Sequence, residues 1–217
     1  KKYAEALAEA KTGARRWWCD EEPSKDALDL MVEDGDAFDA SGVDVVFSAT
    51  ESEVAQVQEP LFAKTTPVIS TASAFRYAVD VPLLVPNINM SHAELLDAQK
   101  KNRGWKGFVV PVPNCTALGL VITLKPLLDR FGLESVVVTT MQGLSGAGHS
   151  PGVMGLDILD NIIPFIPKEE EKVEKELRKI FGSLAGNAIK PHSTVVSATC
   201  TRANVSAGHT ESVSASL

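Results

Sequence analysis

What is scarce in this sequence narrows it first. No apolar run approaches the roughly 18 residues that a membrane-crossing helix needs. The most apolar stretch, 117–128, is broken by Thr123, Lys125 and Pro126. Cysteine is scarce, and Cys19, Cys115 and Cys200 are too scattered for a disulfide framework. A reducing setting, the cytoplasm, is therefore expected. Neither a CxxC pair nor an HExxH occurs, so no metal site is expected. Basic charge is in deficit too: 21 Lys and Arg stand against 28 Asp and Glu, a net charge of −7. A general nucleic-acid binder needs a basic face, so neither nucleic acid nor membrane is expected as a partner. A local basic pocket for a small anionic substrate stays compatible with that balance.

The 44% hydrophobic and 23% charged residues are ordinary for a globular chain. The 217 residues suit one large domain or two smaller ones. Val43-Asp44-Val45-Val46-Phe47-Ser48 is short and β-branched, as a buried strand is. Residues 52–63 follow with helical spacing of Val54, Val57, Leu61 and Phe62, and 67–70 is strand-like again. Strand, helix and strand with short links read as a parallel βαβ unit. A further short strand is expected at 81–85, a polar helix at 91–101 capped by Ser91, and a strand at 108–110. A long helix should run from Cys115 to Phe131 and stop at Gly132. Beyond it come a strand at 135–141, a glycine-rich loop at 145–155, a charged amphipathic helix at 168–181, and strands at 194–201 and 210–217. Long connections with few crossover helices suggest a mixed or antiparallel sheet. A domain boundary is expected near residue 114. The chain starts in a helical pattern and ends in a strand-like one, so it is expected to be an internal piece of a longer protein.

Pro113-Asn114-Cys115-Thr116 joins a strand to the long helix. A sulfur at a helix start meets unpaired N–H groups and the positive end of the dipole, which stabilise a thiolate. The same N–H groups could hold an oxyanion. The plainer reading is a buried structural cysteine. A thiolate nucleophile needs an acid or base partner. Of the four histidines, His209 in Ala207-Gly208-His209-Thr210 stands at a strand entry, with Arg202 seven residues earlier. His92 and His192 read as surface or capping residues, and His149 as a weaker candidate beside the glycine loop.

The ordered set NCTALGL, VVVTTMQGLSGAG, LDILDNIIPFIPKEEEKVEKELRKI and ATCTRANVSAGHTES resembles the aspartate-semialdehyde dehydrogenase family, most closely its archaeal and fungal branch. The segments VFSATESEVAQ, FAKTTPVIS and VDVPLLVPNIN are similar too, so the resemblance covers nearly the whole chain. It implies an α/β fold: a partial Rossmann-type dinucleotide-binding domain over 1–114, then over 115–217 a catalytic and dimerisation domain with a mixed sheet, like that of glyceraldehyde-3-phosphate dehydrogenase. By position, it gives Cys115 the role of nucleophile, His209 that of acid/base and Gln142 that of orienting the substrate. Arg202 would grip the substrate carboxylate and Glu169 its amino group, with Glu170 and Glu171 not separated from it by spacing, while Lys172 and Arg76 would hold phosphate. Asn114 would be a further substrate contact. Ser48, Ser145, Gly146 and Gly148 would meet the cofactor, expected to be NADP.

The implied reaction converts aspartyl phosphate to aspartate semialdehyde and phosphate through a Cys115 thioester, in a homodimer or homotetramer. Sister reductases of acetylglutamyl phosphate or malonyl-CoA share this plan, and a non-catalytic dimerising fragment is the rival of another class. The family's glycine-rich dinucleotide fingerprint lies upstream of the part matched by Lys1-Lys2-Tyr3, and Arg202-Ala203-Asn204-Val205 stands where Arg-Val-Pro-Val is common. Geometrically, the mechanism requires the His209 ring within roughly 3–6 Å of the Cys115 sulfur.

Overall fold

The computed structural model describes residues 31, 33–147 and 157–217. The chain divides into two compact units, 1–42 and 43–217. Of the first, the described part holds a short 3-10 turn at Ala40–Gly42.

The second unit begins with three parallel strands in the order β1 (Val46–Ser48), β2 (Val68–Ser70) and β3 (Val109–Pro111). Helix α1 (Ser52–Ala63) is the crossover from β1 to β2, at the expected bounds. The segment 81–85 is buried but forms no strand. Pro82 lacks a backbone N–H, so it cannot donate to a ladder. The side chain of Asn89 takes the place of a partner strand, accepting from Val85 N (2.8 Å) and donating to the Leu83 carbonyl (2.7 Å). Ser91 is not a helix cap either. A 3-10 turn runs over Met90–Glu94, with Asn89 before it, and leads into α2 (Leu95–Arg103), which ends at Gly104 with φ +67°. Gln99 of α2 clasps the sheet by accepting from Val109 N and donating to Val109 O.

From β3 the chain passes through Asn114 into α3 (Cys115–Phe131), again as the sequence predicts. Four strands then form a mixed sheet: β4 (Ser135–Gln142), β5 (Ile162–Ile163), β8 (Val195–Ala203) and β9 (His209–Ser216), ordered β5-β8-β4-β9. The central pair β4/β8 is parallel and the outer pairs antiparallel. Helix α4 (Glu169–Ile180) packs with α3 on one face of this sheet. Leu120, Leu124, Val136, Val138, Val173, Leu177 and Cys200 close the core between them. A hairpin of β6 (Ser183–Ala185) and β7 (Ala188–Lys190), with Gly186 at φ +60°, is too short and weakly apolar to have shown in the sequence pattern. His92 is not at the surface: at 2% exposure it accepts from Asn89 Nδ2 (3.0 Å) and donates to the Gly182 carbonyl (3.0 Å), fastening the Met90–Glu94 turn to the end of α4.

Candidate active site

A cleft of about 500 Å3 opens where the carboxyl ends of the three parallel strands meet the second sheet. That end of a parallel sheet is where α/β folds usually bind ligands. Thr50, Thr71, Ser73 and Arg76 come from the loops after β1 and β2, Ser52 from the first position of α1, and Asn114 and Cys115 from the exit of β3. Gln142 and Arg202 come from the second sheet, Gly146 from the 3-10 turn Leu144–Ala147 after β4, and Glu169 and Lys172 from α4.

Local folding places the sulfur. Asn114 caps α3: its Oδ1 accepts from Thr116 N (3.0 Å) and Ala117 N (3.1 Å). Its own N–H donates to Glu176 Oε2 at 2.6 Å. Among the described residues the Cys115 amide is therefore the first-turn donor left open to an incoming oxyanion, fewer than the bare helix start suggested. Cys115 is exposed, not the buried structural cysteine of the plainer reading. Cys200 is that buried cysteine, and burial pushes its thiol upward.

His209 starts β9, in register opposite Gln142 at the end of β4. Its Nε2 lies 3.3 Å from Cys115 Sγ, across 94 positions of sequence. Gly143 N donates to its Nδ1 (3.1 Å). A neutral ring accepting at Nδ1 carries its proton on Nε2, so that proton points at the sulfur. Gly146 is held against the same ring. A Cβ there would lie 2.6 Å from His209 Cε1 and 3.2 Å from Arg202 Nη1.

Arg202 is buried at the end of β8 and donates to the Gly143 carbonyl (2.9 Å). Of the three consecutive glutamates, Glu169 is the one buried at the cleft. It accepts from Asn114 Nδ2 (2.7 Å) and Lys172 Nζ (3.1 Å). Burial alone would raise its carboxyl, but these donors outweigh burial and hold it below the usual carboxylate range. Gln142 Nε2 donates to Thr116 Oγ1 (3.0 Å) and reaches Glu169 Oε1 (3.4 Å). Arg76 pairs with Glu176 (3.1 Å) and donates to the Thr71 carbonyl (3.0 Å).

The eight residues expected for chemistry and substrate thus meet around one cleft. The four cofactor candidates do not behave alike. Gly146 lines the cleft; Ser48 is buried behind it, against Thr50 Oγ1 (3.4 Å). Ser145 Oγ accepts from Gly208 N (3.4 Å). Gly148, His149 and Cys19 lie outside the described residues. Sequence reasoning missed Glu176, which is fully buried and accepts from Arg76 Nη1, Tyr77 Oη and Asn114 N. It stands seven residues after Glu169, on the stripe that also buries Val173, Leu177 and Ile180. That spacing was the available signal.

A cysteine at a helix start with a histidine at its sulfur, set between a three-stranded parallel sheet and a mixed sheet, is an arrangement suited to nucleophilic cysteine chemistry. The chain belongs to the semialdehyde dehydrogenase family. The profile described as "Semialdehyde dehydrogenase, NAD binding domain" matches residues 3–96, and "Semialdehyde dehydrogenase, dimerisation domain" matches 124–217. It is 44% identical over 197 residues to the aspartate-semialdehyde dehydrogenase of Methanothermobacter thermautotrophicus, across 91% of this chain and 56% of that one. It is 53% identical to that of Archaeoglobus fulgidus over 171 residues, 78% of this chain and 49% of that one. The crystal structure of the Candida albicans aspartate-semialdehyde dehydrogenase with NADP is similar at TM-score 0.80 and 36% identity, covering 94% of this chain and 60% of that one. The chain thus spans about half the length of the curated relatives it matches.

Proposed function

We propose that the protein is an aspartate-semialdehyde dehydrogenase, in which this chain supplies the catalytic cleft. The carrying observation is the 3.3 Å approach of His209 Nε2 to Cys115 Sγ inside a cleft that holds both cations and a carboxylate. Cys115 attacks the acyl carbon of aspartyl phosphate. The C–O bond to phosphate breaks, and a thioester remains on the sulfur. Arg76 and Lys172 hold the phosphate, Arg202 clamps the substrate carboxylate, and Glu169 takes the substrate ammonium. Gln142 and Asn114 act mainly by fixing Glu169 and the start of α3, since their amides are already engaged with protein groups. As the thioester is reduced, the oxyanion formed from its carbonyl takes the proton from His209 Nε2; the ring takes it back as the C=O re-forms and the C–S bond breaks, which releases the aldehyde and the Cys115 thiolate.

The hydroxyls of Thr50, Ser52, Thr71 and Ser73 at the strand ends suit the nicotinamide-ribose end of a dinucleotide. The cofactor, when bound in its reduced form NADPH, would supply the hydride that reduces the thioester. Gly146 and Thr50 are better placed to meet it than Ser48 or Ser145. In this reading 1–114 contributes to the nucleotide-binding domain and 115–217 to the catalytic domain. A second copy pairs through the face of the mixed sheet that α3 and α4 leave open, which carries Val137, Thr139, Val195, Ser197, Ser212 and Ser214. Among the described residues no helix is long and apolar enough to cross a membrane. A cytoplasmic location belongs to the same reading and rests on the few, scattered cysteines. Assay of the full-length protein with aspartate semialdehyde, phosphate and NADP or NAD tests the proposal. Cofactor reduction that requires phosphate supports it; none, or reduction indifferent to phosphate, overturns it.

A further inference from the structure

A second cavity, of about 280 Å3, lies outside the machinery described above. Tyr77, Val79 and Ile189 wall it, together with three cations from the last turns of α4: Lys175, Arg178 and Lys179. No acidic residue is among the described residues that line it. The cations are poorly neutralised. Lys175 reaches Glu171 only at 3.6 Å, with both side chains exposed, and its Nζ sits 6.0 Å from the Tyr77 ring centre. Arg178 donates to a neutral carbonyl, that of His192 (3.1 Å). Lys179 does the same to the carbonyls of Arg76 (2.7 Å) and Ala78 (3.1 Å). Among the described residues, neither Arg178 nor Lys179 has a carboxylate within ion-pair distance. Burial pulls the Lys179 ammonium down to about 8, although the more distant charges of Glu176 and Asp80 push it the other way. Three positive groups around a partly apolar hollow are the chemistry of a site for an organic anion.

The cavity also touches the cleft through two short links. The Tyr77 hydroxyl donates to Glu176 Oε1 (3.1 Å), the oxygen that holds the Arg76 guanidinium. Lys179 holds the Arg76 backbone. An anion at the cavity offers both Tyr77 and Lys179 another acceptor, and each move loosens a tether on Arg76.

We infer that this cavity binds a small organic monoanion with an apolar body, a carboxylate of benzoate's size, and that its occupancy weakens phosphate binding in the neighbouring cleft. The second half rests on the phosphate role proposed above for Arg76; the first half does not. Calorimetry on the full-length protein, with benzoate as probe and benzamide as its neutral isostere, tests the site. Benzoate should bind about tenfold or more tightly than benzamide. Val79→Asp, at a side chain 69% exposed, should abolish benzoate binding. The Lys175→Gln/Arg178→Gln pair should weaken it about tenfold or more. Arg202→Leu, in the cleft, should leave it unchanged. Absence of benzoate binding, survival of binding in Val79→Asp, or its loss in Arg202→Leu overturns the site. The coupling is read from the phosphate dissociation constant with and without benzoate. It should rise with benzoate in the wild type and rise less in Tyr77→Phe, where only the Lys179 link remains; no change in the wild type, or an undiminished rise in Tyr77→Phe, overturns the coupling. Benzoate binding in a protein without dehydrogenase activity would leave the cavity standing and remove only the proposed reaction.

Discussion

Replacing Glu176 by Gln should damage both stability and phosphate binding, and the structure gives the scale. The carboxylate is fully buried. Oε1 accepts from Arg76 Nη1 and Tyr77 Oη at 3.1 Å each, and Oε2 from Asn114 N at 2.6 Å. A Gln amide has one acceptor oxygen. Turned toward Arg76 and Tyr77, it sets its NH2 against the Asn114 N–H; turned the other way, it faces two donors with a third. Either way a buried donor stays unpaired, at about 1–3 kcal/mol. The buried Arg76 also loses its counter-charge, and breaking such a pair costs up to about 3–5 kcal/mol. A net loss of about 2–4 kcal/mol is expected, since the amide keeps the packing and one set of bonds. At roughly 2–4 °C per kcal/mol for a chain of this size, the melting temperature should fall by about 4–16 °C. In the full-length enzyme the KM for phosphate should rise more than kcat falls, because Arg76 holds charge in ground and transition states alike. A separate reporter exists. Burial first, and then the Glu176 charge, raise the Tyr77 phenol far above its ordinary range. Only two tyrosines are present, so ultraviolet difference absorbance can follow them. The Glu176→Gln variant should let Tyr77 ionise at lower pH than in the wild type. An unchanged tyrosine titration with a melting temperature within about 1 °C of wild type would refute this account of Glu176.

Limited iodoacetamide treatment followed by mass mapping should label Cys115 before Cys200, which is buried and whose thiol burial pushes upward; equal labelling would count against Cys115 as nucleophile. His209→Asn should cut turnover by about 10²–10⁴-fold, the usual worth of acid–base help, and a smaller loss in steady-state rate would remove that role. Gly146→Ala should cost roughly 10²-fold in kcat/KM with little change in melting temperature, since its methyl must displace a His209 ring pinned by Gly143. Full activity in that variant would show that the ring has room to yield. Burial raises the Glu211 carboxyl from 4.5 to about 7, so the folded chain binds its proton more tightly than the unfolded one. That contribution is complete below about pH 4.5 and lost as pH rises toward 7. Glu211→Gln should therefore raise the melting temperature relative to wild type above pH 7 and not near pH 4, by less than full linkage because the side chain is only partly buried. A pH-independent difference would contradict it.

Local patterns in the sequence carried the elements that local physics decides. The α1 and α3 bounds followed from helical spacing and from Gly132, and the mixed sheet from β-branched runs with long connections. Where backbone needs were met by distant side chains, the pattern misled. Residues 81–85 look like a strand because they are apolar, yet Pro82 interrupts them and Asn89 satisfies the backbone. His92 looks polar and local, yet it joins two segments 90 residues apart. Spacing alone left Glu169, Glu170 and Glu171 equivalent. What selects Glu169 is Asn114, 55 positions earlier and already committed to capping α3.

That same dependence explains why Glu176 escaped notice while Cys115 and His209 did not. Cys115 and His209 sit in motifs whose neighbours, a cap asparagine and turn glycines, are themselves legible. Glu176 lies in a run of charge that reads as a solvated helix face. Its burial follows only once β2, β3 and α4 come together, because only then do Arg76, Tyr77 and Asn114 surround it. One carboxylate then joins Arg76 to the backbone at the foot of the cysteine helix. The placement of Cys115 depends on Asn114, and Asn114 is held from two sides: Glu176 at its amide and Glu169 at its side chain. Two glutamates one heptad apart on α4 therefore set the geometry of Cys115 at the start of α3. Preorganisation of the cleft is thus a property of the α3–α4 packing and not of the Cys115 motif alone.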